Sequence, residues 1–339
     1  MKLNILYQFN DAYAPYAGVS ICSLLKNNQK AEAIEIYVLG EKLSSGSISR
    51  LRSLVKQYGR RITFLNSDRI LKKIKELGIP KYRGSFAANM KLFFSSEISE
   101  EAERLLYIDS DTLVVDSLEA LFCFPMKEYP LAMALDSLGK KHKTYIGLRK
   151  GDPYFNSGVI LFDLKKWKEL NCEKQLAEHA LYSRAHYMSP DQDLINAALK
   201  GQIGRLDARF NFQPIHFRYS AGLYRCYWKQ NGYYSAKELL DAKTQPVILH
   251  FFRFLGEFPW DTDSLHPYAE AFADYLKQSP WQDLPEKASV QQGAVFQIER
   301  FLYRLLPDIL FMPVFRACYG IFLWKAERAS RRGKNDRKM

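Results

Sequence analysis

The chain has 339 residues, of which 47% are hydrophobic and 25% charged, and its formal net charge is +12. This composition is typical of a globular protein with a sizeable core and excludes a disordered chain. The five cysteines are scattered, with no Cys-x-x-Cys pair, which excludes a disulfide framework or a zinc site of that kind and fits a reducing cytosol.

Strands and helices alternate along the first half of the chain. Residues 1–11 begin with only about five apolar, strand-like positions, against the roughly 7 to 15 of a secretion signal, so we expect a first strand and no cleaved signal. The alternation predicts an α/β fold with a mostly parallel central sheet flanked by helices. The predicted strands are residues 3–9, 34–39, 62–65, 105–109, 131–135 and 159–162, and the predicted helices are residues 14–26, 44–58 and 86–98.

Two carboxylates, Asp109 and Asp111, stand at the carboxyl end of the apolar run that starts at residue 105. Ligands of open α/β sheets collect beyond the carboxyl ends of the strands. Mg²⁺ and Mn²⁺ prefer oxygen ligands, and such an ion bridges phosphate oxygens and stabilises a departing diphosphate. The sequence therefore predicts a metal site here, with a strand followed by a solvated turn as the alternative.

Three later segments carry polar residues next to predicted strands or helices. Asn156 and Ser157 precede an apolar strand, where they either bind sugar hydroxyls or form a turn. Residues 191–193 (DQD) open a helix, either as caps or as substrate-binding groups. His250 follows the apolar residues 246–249, which makes it either a nitrogen ligand to a metal or a structural histidine.

The C-terminal region is basic and amphipathic. From Phe296 onward there are ten Lys or Arg residues against four acidic ones, and this excess of +6 is half of the net charge of the chain. Apolar residues recur at helical spacing in the same region. We expect it to lie on an anionic membrane surface, because the apolar run is interrupted before the roughly 20 residues of a span. The alternative is a helix docked on the catalytic body with a solvated basic tail. Nucleic acid is not an expected partner, since no base-reading motif accompanies the charge.

A Pro-, Gln- and Gly-containing stretch at residues 280–293 is the best candidate boundary. It predicts a catalytic domain over residues 1–285 and a C-terminal amphipathic, basic membrane-associating region over residues 286–339.

Six motifs occur in an order that resembles glycosyltransferase family 8, and in particular its bacterial lipopolysaccharide α-galactosyl- and α-glucosyltransferases. The motifs are YQFNDAY at 7–13, LYIDSDTLV at 106–114, YFNSG at 154–158, DQD at 191–193, RFNF at 209–212 and HFFRFLGEFPW at 250–260. The resemblance covers roughly residues 3–260. It implies a GT-A fold, Mn²⁺ or Mg²⁺, UDP-galactose or UDP-glucose as donor, and transfer with retention of anomeric configuration.

The resemblance also assigns roles to individual positions. It implies that Asp109, Asp111 and His250 are the metal ligands. The implied donor-binding positions are Asn10, Asp11, Tyr13, Lys91, Ser110, Asn156, Ser157 and Gly256, together with the two aspartates. It places Asp191 and Gln192 at the transferred sugar, where either stabilises the sugar cation or acts as nucleophile, and a carboxylate favours Asp191 for the second role. Asp136 is implied near the acceptor.

Two departures from the family pattern bear on the donor. Asn10 stands where many relatives have an aspartate, and an amide pairs with a base edge in a different donor and acceptor pattern. The closing motif has two extra residues and places Phe258 where the family has a lysine. Arg253, within the insertion, is the candidate replacement for that cation at the departing diphosphate.

The predicted function is that of a retaining hexosyltransferase that builds lipopolysaccharide, capsule or another surface glycan. It would work in the cytoplasm, at the inner face of the cell membrane, on a saccharide or glycolipid acceptor. One alternative is a sugar nucleotidyltransferase, which would need a glycine-rich basic loop, whereas residues 10–18 contain no Lys or Arg. Another is a catalytically inactive glycan-binding or scaffold protein, which Phe258 favours and the intact ligand set opposes.

Overall fold

The computed structural model describes residues 1–82, 84–138, 142–183, 187–228, 232–252, 257–284 and 294–335. Its strands form a seven-stranded mixed sheet and a separate two-stranded sheet. The strands are β1 (Lys2–Asn10), β2 (Ala33–Glu41), β3 (Arg61–Leu65), β4 (Arg104–Ile108), β5 (Thr112–Val114), β6 (Leu131–Leu135), β7 (Phe155–Asp163), β8 (Ile203–Arg205) and β9 (Ile248–His250).

The large sheet has the strand order β3-β2-β1-β4-β7-β6-β8. Its first four strands are parallel, β7 runs antiparallel to both β4 and β6, and β8 is parallel to β6. The small sheet pairs β5 with β9 in antiparallel fashion. The predicted mostly parallel sheet is therefore confirmed, with β7 as the reversed strand.

Helices cover both faces of the sheet, which explains why the central strands are apolar on both sides. Along β1, Ile5 and Tyr7 face one hydrophobic layer and Leu6 faces the other. The helices are α1 (Ala14–Asn27), α2 (Ser45–Gln57), α3 (Asp68–Glu76), α4 (Glu119–Phe122), α5 (Leu164–Glu169), α6 (Cys172–Tyr182), α7 (Pro190–Ala198), α8 (Pro214–Arg218), α9 (Ala221–Trp228), α10 (Ala236–Thr244), α11 (Ala269–Lys277), α12 (Ala294–Leu305) and α13 (Asp308–Asn335).

The predicted helix over residues 86–98 is wrong. The structure has two short 3-10 segments there, Ala87–Leu92 and Ser95–Glu97. The side chain of Gln8 on β1 accepts from the Lys91 backbone N–H at 2.6 Å and donates to the Ala88 carbonyl at 2.7 Å. Because the Gln8 side chain forms hydrogen bonds with these two backbone groups, they are not available for the hydrogen bonds of a regular helix.

The two C-terminal helices, α12 and α13, pack on the body of the protein through a hydrophobic cluster. We call it the C-terminal cluster; its buried members are Ile215, Tyr219, Tyr224, Trp228, Tyr303, Phe311 and Met312. Among the described residues, no helix combines the length and apolar content that a membrane span requires. The predicted domain boundary stays a prediction, since residues 285–293 lie outside the described part of the chain.

Candidate active site

The two sheets bring three predicted metal ligands together. Asp109 directly follows β4 and Asp111 directly precedes β5. The β5–β9 pairing sets Thr112 opposite His250, and the Phe251 N–H donates to the Asp111 carbonyl at 2.7 Å. Strand pairing therefore carries His250, distant in sequence, to the carboxyl end of β4.

The geometry of these three residues suits a divalent cation. His250 Nε2 lies 3.7 Å from Asp109 Oδ2 and 3.5 Å from Asp111 Oδ1. One ligand atom from each residue lies within 4.8 Å of the others. Two carboxylate oxygens and one imidazole nitrogen form a donor set that fits Mn²⁺ or Mg²⁺.

Asn211 fixes the orientation of the His250 ring, a role that the sequence did not reveal. Asn211 Nδ2 donates to Asn156 Oδ1 at 2.9 Å, so its Oδ1 is the atom that lies 2.9 Å from His250 Nδ1. An amide oxygen only accepts, and Nδ1 therefore carries the ring proton. This tautomer presents the bare Nε2 to the two aspartates, as a metal ligand requires. The motif RFNF contained Asn211, but nothing in it named the partner.

Gly158 is the second site residue that sequence reasoning missed. A Cβ at this position would lie 2.1 Å from His250 Cε1 and 3.0 Å from Asp109 Oδ2. These separations are too short for any side chain, so the glycine lets β7 approach the ligand cluster. The YFNSG motif allowed a turn at this position, but it did not reveal this neighbour.

Lys91 lies beneath the cluster with its side chain buried. Its Nζ is 2.8 Å from Asp191 Oδ2 and 3.3 Å from Asp109 Oδ1, and it donates to the Ser157 carbonyl at 3.0 Å. The lysine implied as a donor contact thus pairs with two carboxylates inside the protein. Three carboxylates, Asp109, Asp111 and Asp191, against one lysine leave two negative charges, which a bound divalent cation would compensate.

Burial and the neighbouring charges together shift the pKa values of three residues of the cluster. Burial raises the pKa of Asp109, and Asp111 adds to this effect while Lys91 opposes it. Burial lowers the pKa of His250, but the neighbouring Asp111 and Asp109 outweigh burial and leave that pKa raised. Burial also disfavours the charged Lys91, yet Asp109 and Asp191 raise its pKa overall. The site therefore attracts positive charge, whether a proton or a metal ion.

The four residues predicted to hold the sugar and Asp136, predicted near the acceptor, form one hydrogen-bonded group between β6, β7 and α7. Asp136 Oδ2 accepts from Asn156 Nδ2 and from Gln192 Nε2, each at 3.1 Å. Gln192 Oε1 accepts from the Ser157 N–H at 3.1 Å, and Asp191 Oδ2 accepts from Ser157 Oγ at 2.9 Å. The five predicted residues thus converge on one place, and Asn156 links them to Asn211 and the metal ligands.

The acidic residues at the start of α7 have two different roles, one structural and one in the site. Asp193 Oδ2 accepts from the N–H groups of Met188 and Ser189 at 2.7 and 2.9 Å. Its Oδ1 accepts from the Tyr154 hydroxyl at 2.5 Å. Asp193 is therefore structural, which leaves Asp191 and Gln192 as the residues of this segment that face β7.

The residues expected near the base lie at the end of β1, on the same sheet edge as Asp109. Asn10 Oδ1 accepts from the Tyr13 N–H at 3.3 Å. Asp11 Oδ1 accepts from both the N–H and the hydroxyl of Ser44 at 2.9 Å, and these hydrogen bonds lower the pKa of Asp11. Ser110 donates to the Gln8 carbonyl at 3.4 Å, which ties the Asp109–Asp111 turn to β1.

The position where the family has a lysine is occupied by a packed aromatic ring. Phe258 is buried and stacks on Trp260 with ring centroids 4.5 Å apart, and Trp260 stacks on Tyr16 at 4.1 Å. The candidate replacement cation, Arg253, and the motif glycine, Gly256, lie outside the described residues.

Comparisons with known proteins agree with this geometry. Residues 4–264 match the family described as Glycosyl transferase family 8. The chain is 32% identical to a putative glycosyltransferase of Haemophilus influenzae over 62% of this chain and 64% of that protein. It is 26% identical to the lipopolysaccharide 1,2-glucosyltransferase of Escherichia coli K12 over 83% of this chain and 79% of that protein.

Among solved structures, the galactosyltransferase LgtC, in complex with donor and acceptor sugar analogs, is similar to this chain. The TM-score is 0.66 at 25% identity, and the likeness covers 82% of this chain and 96% of LgtC. The predicted GT-A architecture is confirmed by this match.

Proposed function

The chain belongs to glycosyltransferase family 8, and on this basis we propose that it is a metal-dependent, retaining hexosyltransferase. Its donor would be UDP-galactose or UDP-glucose, and its acceptor a saccharide or glycolipid of lipopolysaccharide, capsule or another surface glycan. The observation that carries the proposal is the cluster of Asp109, Asp111 and His250 at the carboxyl end of β4. The Escherichia coli relative is a lipopolysaccharide 1,2-glucosyltransferase and LgtC is a galactosyltransferase, which supports the choice of sugar and acceptor.

The three ligands would hold the donor through its diphosphate. Asp109, Asp111 and His250 would hold Mn²⁺ or Mg²⁺, which would supply the positive charge that stabilises the leaving nucleotide. Asn211 keeps His250 Nε2 aimed at that position, and Gly158 lets the backbone of β7 come close. Asn10, Asp11 and Tyr13 would bind the uridine at the end of β1.

Two residues at the start of α7 would act on the transferred sugar. Asp191 is held by Lys91 at 2.8 Å and by the Ser157 hydroxyl at 2.9 Å. A carboxylate that is paired with a lysine is a weaker nucleophile, which supports electrostatic stabilisation of the sugar cation by Asp191. Gln192 and Asn156 share Asp136 as an acceptor, and this arrangement supports Asp136 as the residue that orients a sugar hydroxyl.

We further propose that the region of residues 286–339 attaches the enzyme to the anionic inner face of the cell membrane. The helices α12 and α13 also carry apolar side chains that are exposed, which together we call the outward face: Ile298, Phe301, Leu305, Ile309 and Leu310. The exposed side chains of Arg304 and Arg316 belong to the same two helices. Apolar and basic groups together favour an anionic bilayer surface. The docked and the membrane-bound interpretations of this region are compatible, because the side chains that are buried in the C-terminal cluster differ from those that are exposed.

The proposal is tested by nucleotide release from a panel of UDP-, GDP-, CMP- and dTDP-sugars, with Mn²⁺ or with EDTA. Slow donor hydrolysis replaces the acceptor. Release from UDP-galactose or UDP-glucose that requires Mn²⁺ is the expected result and names the donor. Absence of both nucleotide release and UDP binding would contradict it and favour the inactive scaffold, the second candidate, which the packed Phe258 supports.

A further inference from the structure

A buried ion pair joins α12 to the segment that follows the metal ligand His250. Arg300 Nε lies 2.7 Å from Glu257 Oε1, and the side chains are 17% and 2% exposed. A charge that is removed from water this completely is costly unless it is paired. The pair therefore ties the C-terminal helices to this segment at one defined point.

Glu257 begins a compact turn, residues 257–265, that its own hydrogen bonds hold together. Glu257 Oε2 accepts from the Leu265 N–H at 2.9 Å, so this carboxylate spans the two ends of the turn. Within the turn, the Phe258 N–H donates to Asp261 Oδ2 at 3.0 Å. Arg300 also donates to the Asp263 carbonyl at 2.8 Å. Arg300 thus holds the 257–265 turn at two places.

The 257–265 turn presents two aromatic rings to the base side of the site. Phe258 stacks on Trp260, and Trp260 stacks on Tyr16 with an interplanar angle of 22°. Tyr16 meets Tyr13 edge to face at 5.6 Å between ring centroids. Contacts between described residues therefore run without a break from α12 to Tyr13.

We propose that Arg300 and Glu257 are positioning residues for the donor nucleotide. Their ion pair sets the place of the 257–265 turn, and the turn sets Tyr16 and Tyr13 through Trp260. This inference rests on the proposed function, which assigns the uridine of the donor to Asn10, Asp11 and Tyr13. It gives α12 a role in donor binding in addition to the role of its outward face.

The test compares two carboxylate-to-amide variants, each of which removes one ion pair that anchors the C-terminal helices. Glu257→Gln removes the pair on the turn. The matched control, Asp308→Asn, removes the 2.6 Å pair between Arg218 on α8 and the first residue of α13. The measurements are the dissociation constant of UDP by calorimetry, kcat and KM for UDP-sugar hydrolysis, and the thermal unfolding temperature.

The expected result is a roughly tenfold weaker UDP affinity and a correspondingly higher KM in Glu257→Gln, with kcat at saturating donor close to that of the wild type. Asp308→Asn should keep wild-type UDP affinity and KM. Arg300→Lys, which keeps the charge but not both contacts of the guanidinium, should weaken UDP binding less than Arg300→Gln does. Equal changes in both variants, or a lower kcat at unchanged KM, would show that the pair only stabilises the fold and would overturn the inference.

A double variant decides whether the two residues act as one unit. Glu257→Gln combined with Arg300→Gln should weaken UDP binding no more than the stronger single change, whereas additive losses would contradict the pairing. Failure of the inference is distinguishable from failure of the proposed function. In the first case the wild type binds UDP and the variants match it, and in the second the wild type itself does not bind UDP.

Discussion

The metal cluster and the C-terminal helices are held in place by different means. The ligands sit in a polar chain in which His250 contacts Asn211, Asn211 contacts Asn156, and Asn156 contacts Asp136. The helices α12 and α13 are held by the apolar C-terminal cluster and by ion pairs at its rim. We therefore expect substitutions in the metal cluster to change the activity without unfolding the protein. Substitutions on the outward face of α12 and α13 should instead change the binding of the enzyme to the membrane.

The largest expected effect comes from removing one ligand charge. Asp111→Asn should lower Mn²⁺-dependent nucleotide release by about 10²- to 10³-fold, because the remaining donor set binds the cation poorly. The control is Asp116→Asn, which changes an exposed aspartate a few residues away. Circular dichroism and thermal unfolding should show both variants folded. Full activity in Asp111→Asn would show that Asp111 is not a metal ligand.

A single methyl group should have the next largest effect. Gly158→Ala puts a Cβ within 2.1 Å of the His250 ring, so the ring or β7 must shift. A shift on the order of 1 Å lowers turnover by about a hundredfold. Gly222→Ala is the matched control, because a Cβ there meets no atom within 4 Å. Turnover and Mn²⁺ dependence at equal protein stability provide the readout. An active Gly158→Ala enzyme would mean that the close approach has no bearing on the chemistry.

Asn211→Ala should weaken metal binding although it leaves all three metal ligands in place. Without its amide oxygen the His250 ring loses the contact that fixes its tautomer, and metal affinity should fall about 10- to 100-fold. A Mn²⁺ titration of nucleotide release measures this, and excess Mn²⁺ should restore most of the rate. Asn28→Ala is the control, since it also removes a buried asparagine that contacts two backbone groups, Leu24 and Leu118. Loss of stability in both variants with unchanged Mn²⁺ affinity would argue against the orienting role.

The residues that sequence reasoning identified are those whose chemistry is visible without the fold. Asp109 and Asp111 follow an apolar strand, and His250 follows another, so their place at a sheet edge was predictable. Asn211 and Gly158 stand inside recognised motifs, but their roles depend on the His250 ring, which only strand pairing brings near. Motif position therefore located them without explaining them.

Other features were hidden because they depend on long-range partners. In the sequence, Gln8 is one polar residue in a buried strand. In the structure, its side chain forms hydrogen bonds with the backbone of the segment that was predicted to be a helix. Glu257 and Arg300 read as ordinary surface charges, and their burial against each other appears only when α12 docks. Local patterns carry no information about such pairs.

Substitutions on the outward face should have the smallest effect, and they should change membrane binding without changing donor hydrolysis. Phe301 and Leu305 are 62% and 64% exposed, so replacing both by Gln should leave folding and donor hydrolysis in solution close to wild type. Removing two apolar groups that would enter a bilayer should weaken binding to anionic phosphatidylserine-containing vesicles by about tenfold. Vesicle sedimentation measures this, with Leu240→Gln on α10 as the exposed apolar control. Unchanged sedimentation would mean that the basic tail alone, or no part of these helices, meets the membrane. Reduced hydrolysis without vesicles would instead show that the outward face also supports the site, and the two regions would then have to be treated as one.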